Sequence, residues 1–213
     1  LGTRETQNET LAALAAAIAV NQISPDDIAI RLARLDGLAQ TYPCLGTGGA
    51  YVAEAADHTL MRDAWQRGLT THKHPQPLPV GSKIRLVMRA DTVSDGVSEA
   101  GVPANVVYAM LTENYDVYMI TFDDPDTFAW SSLPDDARTV VLASTTRMRY
   151  SEQVRNSWHP ALHLALWNPF HAFDIAAPAL ITYGFATPAL EAVSAWLTGQ
   201  TEAKGILPVA GIK

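Results

Sequence analysis

The sequence predicts an α/β protein: a three-layer α/β/α sandwich around a mostly parallel sheet of about five or six strands, preceded by a helical segment. Three observations lead there. Short, nearly continuous apolar runs recur after residue 82, as in strands buried on both faces. They alternate with runs of helical period, which places helices on both sides of a parallel sheet. Ahead of them, residues 1–74 are Ala-rich and helical in pattern, and the Pro-rich link Pro75–Pro79 marks a change of texture. The expected organisation is therefore a helical linker or outer-layer segment, 1–74, and a sandwich domain, 75–213.

The elements follow in order. Residues 6–22 read as a helix, since alanine favours helix and Thr6 or Asn8 suits an N-cap. Ser24-Pro25-Asp26-Asp27 is a second helix start, with Ser as cap, Pro at the first position and acids in the first turn. Ile28, Leu32 and Leu35 continue it at helical spacing until Pro43. Residues 43–50 form a Gly-rich linker, and a third helix spans about 52–67. Strands are expected at 83–88, 116–122, 139–143, 162–167 and 179–183, with a last strand at 206–212. Helices are expected at 102–113 and at 188–197, the latter capped by Thr187.

Composition narrows the function classes. The net charge of −7, with 15 scattered Lys and Arg, argues against nucleic acid, which needs clustered cations. Only Arg85, Arg89, Arg147 and Arg149 are candidates to cluster, through strand ends. Leu11 to Val20 is apolar but far short of the roughly 20 residues a spanning helix needs, so no membrane insertion is expected. It also lacks the basic leader of a signal peptide. The chain begins without Met, as a processed or truncated polypeptide would. The single Cys44 excludes an internal disulfide and reads as inert. The compartment stays open between cytoplasmic and secreted bacterial settings.

Ligands of a doubly wound sheet sit outside the carboxyl ends of the strands. The residues predicted there are Asp91, Ser94 and Asp95 after the first strand, and Asp123, Asp124 and Asp126 after the second. Ser144, Thr145 and Arg147 follow the third, and Asn168 and His171 the fourth. All of them also suit plain turn and capping duty, Asp-Asp-Pro-Asp above all. From this rim Asp91, Ser94, Ser144, Arg147 and Asn168 are the candidates to face a substrate. No metal is expected: His72 and His74 are a loop pair, His163 alternates into a strand as a core or face residue, and no His-Glu-x-x-His or calcium loop occurs. No cofactor is expected either. Gly46-Thr47-Gly48-Gly49 lacks a preceding strand and a closing Gly-Lys-Ser/Thr, and Arg89-Ala90-Asp91-Thr92 stands where a dinucleotide fingerprint would be. No Gly-x-Ser-x-Gly elbow is present. Trp130, Trp158 and Trp167 suit either sugar stacking or a core.

The ending carries an ordered set of motifs: Asn168-Pro169-Phe170, Tyr183-Gly184, Trp196-Leu197-Thr198-Gly199 and Gly205-Ile206-Leu207-Pro208-Val209. This set resembles the second domain of glycoside hydrolase family 3, and its β-N-acetylhexosaminidase branch most. Upstream, Gly68-Leu69-Thr70 with Pro77-Leu78-Pro79, and the helix from Asp26 to Leu38, are similar to the family's entry into that domain. The resemblance implies a partner, an N-terminal (β/α)8 barrel on the same polypeptide, that carries the nucleophile and binds an amino sugar. Such a barrel takes roughly 250 residues and is not contained in this chain. In the hexosaminidase branch the acid/base is also a barrel residue, so no catalytic residue is expected here. The β-glucosidase branch takes its acid/base from a Glu of the second domain, but Glu99, Glu113 and Glu152 fall in no matching motif. The expectation is a non-catalytic C-terminal domain that braces a barrel and walls its active site. The alternatives are a stand-alone carbohydrate or small-ligand binding module, or an unrelated α/β enzyme.

Overall fold

The computed structural model describes residues 3–43, 52–91 and 100–210. These fall into two compact units: residues 3–43 with 52–53, and residues 54–91 with 100–210.

The first unit holds two helices, α1 (Arg4–Ala19) and α2 (Pro25–Thr41). Thr3 caps α1, three residues ahead of the expected Thr6, by accepting a hydrogen bond from the Thr6 N–H at 3.2 Å. Ser24 caps α2 as its sequence foretells, accepting from the Asp26 N–H at 3.2 Å. Neither helix buries a residue. Leu32 and Leu35, which share one face of α2, are 54% and 60% exposed.

The second unit contains α3 (Ala55–Gly68), β1 (Thr70–His72), β2 (Lys83–Arg89), α4 (Ala104–Thr112), β3 (Asp116–Phe122), β4 (Thr139–Ser144), α5 (Glu152–Ser157), β5 (Leu162–Ala165), α6 (His171–Asp174), β6 (Ala179–Ile181) and α7 (Thr187–Leu197). The sheet order is β1-β6-β5-β4-β2-β3. All pairs are parallel except β1 with β6. Residues 54–74, grouped above with the helical segment, thus lie in the unit that holds the sheet.

The strands read as continuous apolar runs because both faces are covered. Along β2, Ile84, Leu86 and Met88 join one core with Val141, Leu164 and Leu180, under α4 (Val107, Leu111) and α7 (Val193, Trp196, Leu197). Val87 and Leu142 point the other way, into a second core with Tyr150, Val154, Trp158 and Ile175. Arg85 shares that second face and is 1% exposed; it pairs with Asp136 at 2.6 Å. That pairing, near the start of β2, removes Arg85 from the strand-end cations. Tyr115 ties β3 to α7 through its hydroxyl, which lies 2.9 Å from the Leu197 carbonyl oxygen; burial raises its pKa.

Two expected elements differ. Strand β1 was not foreseen, because a three-residue antiparallel edge strand has no room for a period. The expected strand at 206–212 is reduced to a single bridge between Gly205 and Thr70; residues 206–210 are not strand, and 211–212 lie outside the described residues. Gly205 donates to the Leu69 carbonyl at 2.7 Å, so the tail is anchored at one point. That approach excludes a side chain: a Cβ on Gly205 would lie 2.6 Å from the Gly68 carbonyl oxygen and 2.8 Å from that of Leu69. Gly205→Ala is expected to destabilise the protein by about 1–3 kcal/mol, the usual cost of forcing a methyl group into a packed site. An unchanged urea midpoint would contradict this contact.

Candidate functional site

The parallel strands β2 to β6 end on one rim, at Arg89, Phe122, Ser144, Ala165 and Ile181. The chain after β4 does not leave this rim. It turns back at 145–151 and drops Tyr150 into the second core, 4% exposed.

A polar network holds that turn. The Ser144 hydroxyl is 2.7 Å from the Tyr150 hydroxyl and 2.8 Å from His163 Nε2. The Asp174 carboxylate, 3% exposed, accepts from the Tyr150 N–H at 3.2 Å and from Arg149 Nε at 2.7 Å. It also pairs with Arg155 at 3.1 Å. His171 Nε2 lies 2.7 Å from the Met148 carbonyl oxygen and so carries the proton on that nitrogen. Asn168 works in two directions. Its amide Nδ2 donates to the Arg147 carbonyl at 2.6 Å, and its Oδ1 accepts from the Phe170 N–H at 3.0 Å, an Asx-turn that shapes the Asn-Pro corner.

Burial sets the protonation states. His163 is pushed well below the ordinary histidine value, by desolvation first and then by His171. His171 is lowered mainly by desolvation, and its bond to Met148 opposes this. Burial pushes the Tyr150 phenol up to about 12. Arg149 is raised chiefly by its hydrogen bond to Asp174. The network therefore holds neutral imidazoles, a neutral phenol and one anion matched by guanidinium groups.

The Ser144–His163 pair has the contact of a nucleophile with its base, but not the access. Ser144 is 1% exposed and His163 is fully buried, and His163 Nδ1 has no orienting partner. The arrangement fixes a loop and offers no reacting atom to solvent. Among the described residues no group of three or more His, Cys, Asp or Glu is placed to hold a metal, and no helix is long and apolar enough to cross a membrane.

The sequence candidates fare differently. Asp91 is exposed just beyond β2. Ser94 lies outside the described residues, as do Asp95, Glu99 and the Gly46–Gly49 run. Ser144 is in the network, under the rim rather than on it. Arg147 is exposed, with its carbonyl held by Asn168. Tyr150 and Asp174 were missed as partners. The only trace of Asp174 in the sequence is its place three residues after His171, on the same short helix. His72 lies in β1 rather than in a loop, with its ring edge-on to Phe173.

The rim opens at its β5–β6 end. There Trp65, Trp167, Tyr183, Gly184, Phe185 and Ala186 line a pocket of about 300 Å³. Trp167 and Phe185 meet edge to face at 5.1 Å. Trp65 comes from α3, which packs on α7, and its ring lies so close to Gly184 that a Cβ there would be 2.6 Å away. Trp65 Nε1 has no hydrogen-bond partner. Tyr183 holds a left-handed φ of 62°, uncommon for a residue with a side chain. Trp158 and Trp130, in contrast, stack on each other at 5.0 Å around the second core.

Three solved structures with this fold belong to larger proteins. A fungal multi-domain GH3 β-N-acetylglucosaminidase with a GCN5-related glucosamine N-acetyltransferase region matches at TM-score 0.62 and 19% identity, over 98% of this chain and 26% of its own. A glycoside hydrolase family 3 β-N-acetylglucosaminidase from Paenibacillus sp. str. FPU-7 matches at 0.62 and 20%, over 96% of this chain and 43% of its own. The β-glucoside phosphorylase BglX bound to 2FGlc matches at 0.61 and 17%, over 99% and 42%. At these identities the likeness establishes the α/β fold. The chain spans between 26% and 43% of the length of these neighbours. No protein-family model and no curated protein matches the sequence.

The network gives stability a definite pH dependence. His163 and His171 have folded pKa values below the ordinary 6.5, so below that pH the unfolded chain takes up protons that the native state refuses. Stability is expected to be full above 6.5 and to fall as the pH drops from 6.5 toward 5. His163→Gln is expected to flatten that fall, measured as urea midpoints across the range. An equal slope in both proteins would contradict the assignment.

Proposed function

We propose that this chain is the non-catalytic second domain of a glycoside hydrolase of family 3, of the β-N-acetylhexosaminidase kind, which braces a barrel domain of the same polypeptide. One observation carries the reading: the fold likeness covers 96 to 99% of this chain but at most 43% of the neighbours, so those proteins have a large part with no counterpart here. The ordered endings Asn168-Pro169-Phe170, Tyr183-Gly184 and Leu207-Pro208-Val209 agree with it.

The chemistry supports a bracing role. Hydrolysis with retention needs two catalytic groups about 5–5.5 Å apart across the bond. The strand-end network has one carboxylate, Asp174, and it is buried and neutralised by Arg149 and Arg155. Asp91 and Arg147, both exposed at the strand-end rim, are our candidates to wall an amino-sugar site completed by the barrel, with Asn168 holding the Arg147 carbonyl. The apolar face of α2, with Leu32 and Leu35 exposed, is the kind of surface that a remaining part of the polypeptide covers.

The 213-residue chain alone is expected to give no release of 4-nitrophenol from 4-nitrophenyl N-acetyl-β-glucosaminide above the buffer rate. Turnover that co-purifies with the chain and disappears on Asp174→Asn would overturn the reading.

A further inference from the structure

The geometry points to a carbohydrate site not assigned above: an oligosaccharide groove that starts at the aromatic pocket of Trp65, Trp167 and Phe185 and continues along the start of α7. The inference stands apart from the functional reading above, because it rests on side chains wholly within this chain.

Three observations meet here. The pocket, about 300 Å³, is at the lower end of small-ligand sites and is walled by aromatic rings from three separate segments. Aromatic faces carry negative charge density, and the axial C–H bonds of a sugar ring present a flat, weakly positive face to them. Trp167 and Phe185 meet at 5.1 Å with ring planes 76° apart, so they form a corner and not a single closed stack. Second, Trp65 Nε1–H is shielded and has no acceptor in the protein, and a donor in that state calls for a water or ligand oxygen. Third, a neighbouring depression of about 530 Å³ begins at Thr187, directly after Ala186, and is lined by His58, Arg62, Pro188 and Glu191. His58, Arg62 and Glu191 are exposed. An aromatic platform followed by charged and polar side chains suits a chain of sugar rings, with one stacked and the next hydrogen-bonded through its hydroxyl groups. Tyr183, at φ 62°, sits at the junction, immediately before Gly184, which lies close against the Trp65 ring.

The test follows indole N–H signals of the 15N-labelled chain during titration with triacetylchitotriose, cellotriose and, as a control of different class, N-acetyltryptophanamide. One of the two trisaccharides is expected to shift the Trp65 signal with a dissociation constant of about 1 mM or tighter. Trp167→Ala is expected to weaken this binding about tenfold, and Trp167→Phe to restore most of it. Arg62→Ala, on an exposed helix face, is expected to weaken the trisaccharide while leaving the corresponding monosaccharide unaffected. The proposal is overturned if neither trisaccharide moves the Trp65 signal by about 10 mM, if the shift survives Trp167→Ala, or if only N-acetyltryptophanamide binds. None of these outcomes bears on whether the chain hydrolyses a glycoside, so the two readings fail separately.

Discussion

Asp174 is the constraint on which the rim depends. A carboxylate that is 3% exposed must be matched by donors, because an unpaired buried charge is strongly destabilising. Its donors come from the loop after β4: the Tyr150 N–H, the Arg149 guanidinium and, one turn later, Arg155. The requirement draws residues 145–155 back over the carboxyl ends of β4 and β5. Tyr150 then reaches Ser144, Ser144 reaches His163, and His171 closes on Met148. Remove the anion and the cationic and neutral partners lose the reason for their order.

That closure decides where the sheet can and cannot do chemistry. In open α/β sheets the strand ends form the usual ligand crevice. Here the crevice at β4 and β5 is filled by the protein's own hydroxyl, imidazole and carboxylate groups. The network resembles a catalytic constellation in its contacts and is a scaffold in its burial. Open space survives at the β6 end, where Trp167 and Phe185 leave the sheet and α3 brings up Trp65. The strand-end rim thus keeps one aromatic recess of its own.

Much of the architecture was legible because its signals are local and periodic. Strands β2, β3 and β4 and helices α2, α4 and α7 follow from apolar runs and proline-first helix starts; Ser24 caps α2 as expected, but Thr187 is the first residue of α7, with Ala186 at its N-cap and no side-chain cap bond. β1, α5 and α6 were not legible, having no period to read, whereas the equally short β5 and β6 were marked by their apolar runs. Residues 206–212 are expected as a strand, whereas the molecule makes one bridge at Gly205 and leaves 206–210 as a tail. At the site, Ser144 and Asn168 were found by their place after strands, but their roles were not. Whether a serine after a strand faces solvent or a histidine depends on Tyr150 and Asp174, which are 6 and 30 residues away in sequence. Trp65 is about 100 residues from Trp167, a distance over which no sequence spacing predicts contact.

The central claim is that the strand-end rim is a locked scaffold organised by Asp174. Native-state hydrogen exchange at the Tyr150 amide tests it most directly, since that N–H is donated to the Asp174 carboxylate. The account requires this amide to exchange only through global unfolding, with the same free energy as the core amides of β2 and β4, and to become fast in Asp174→Asn. Exchange of the Tyr150 amide by local opening in the unaltered protein, far below the global unfolding free energy, would contradict it.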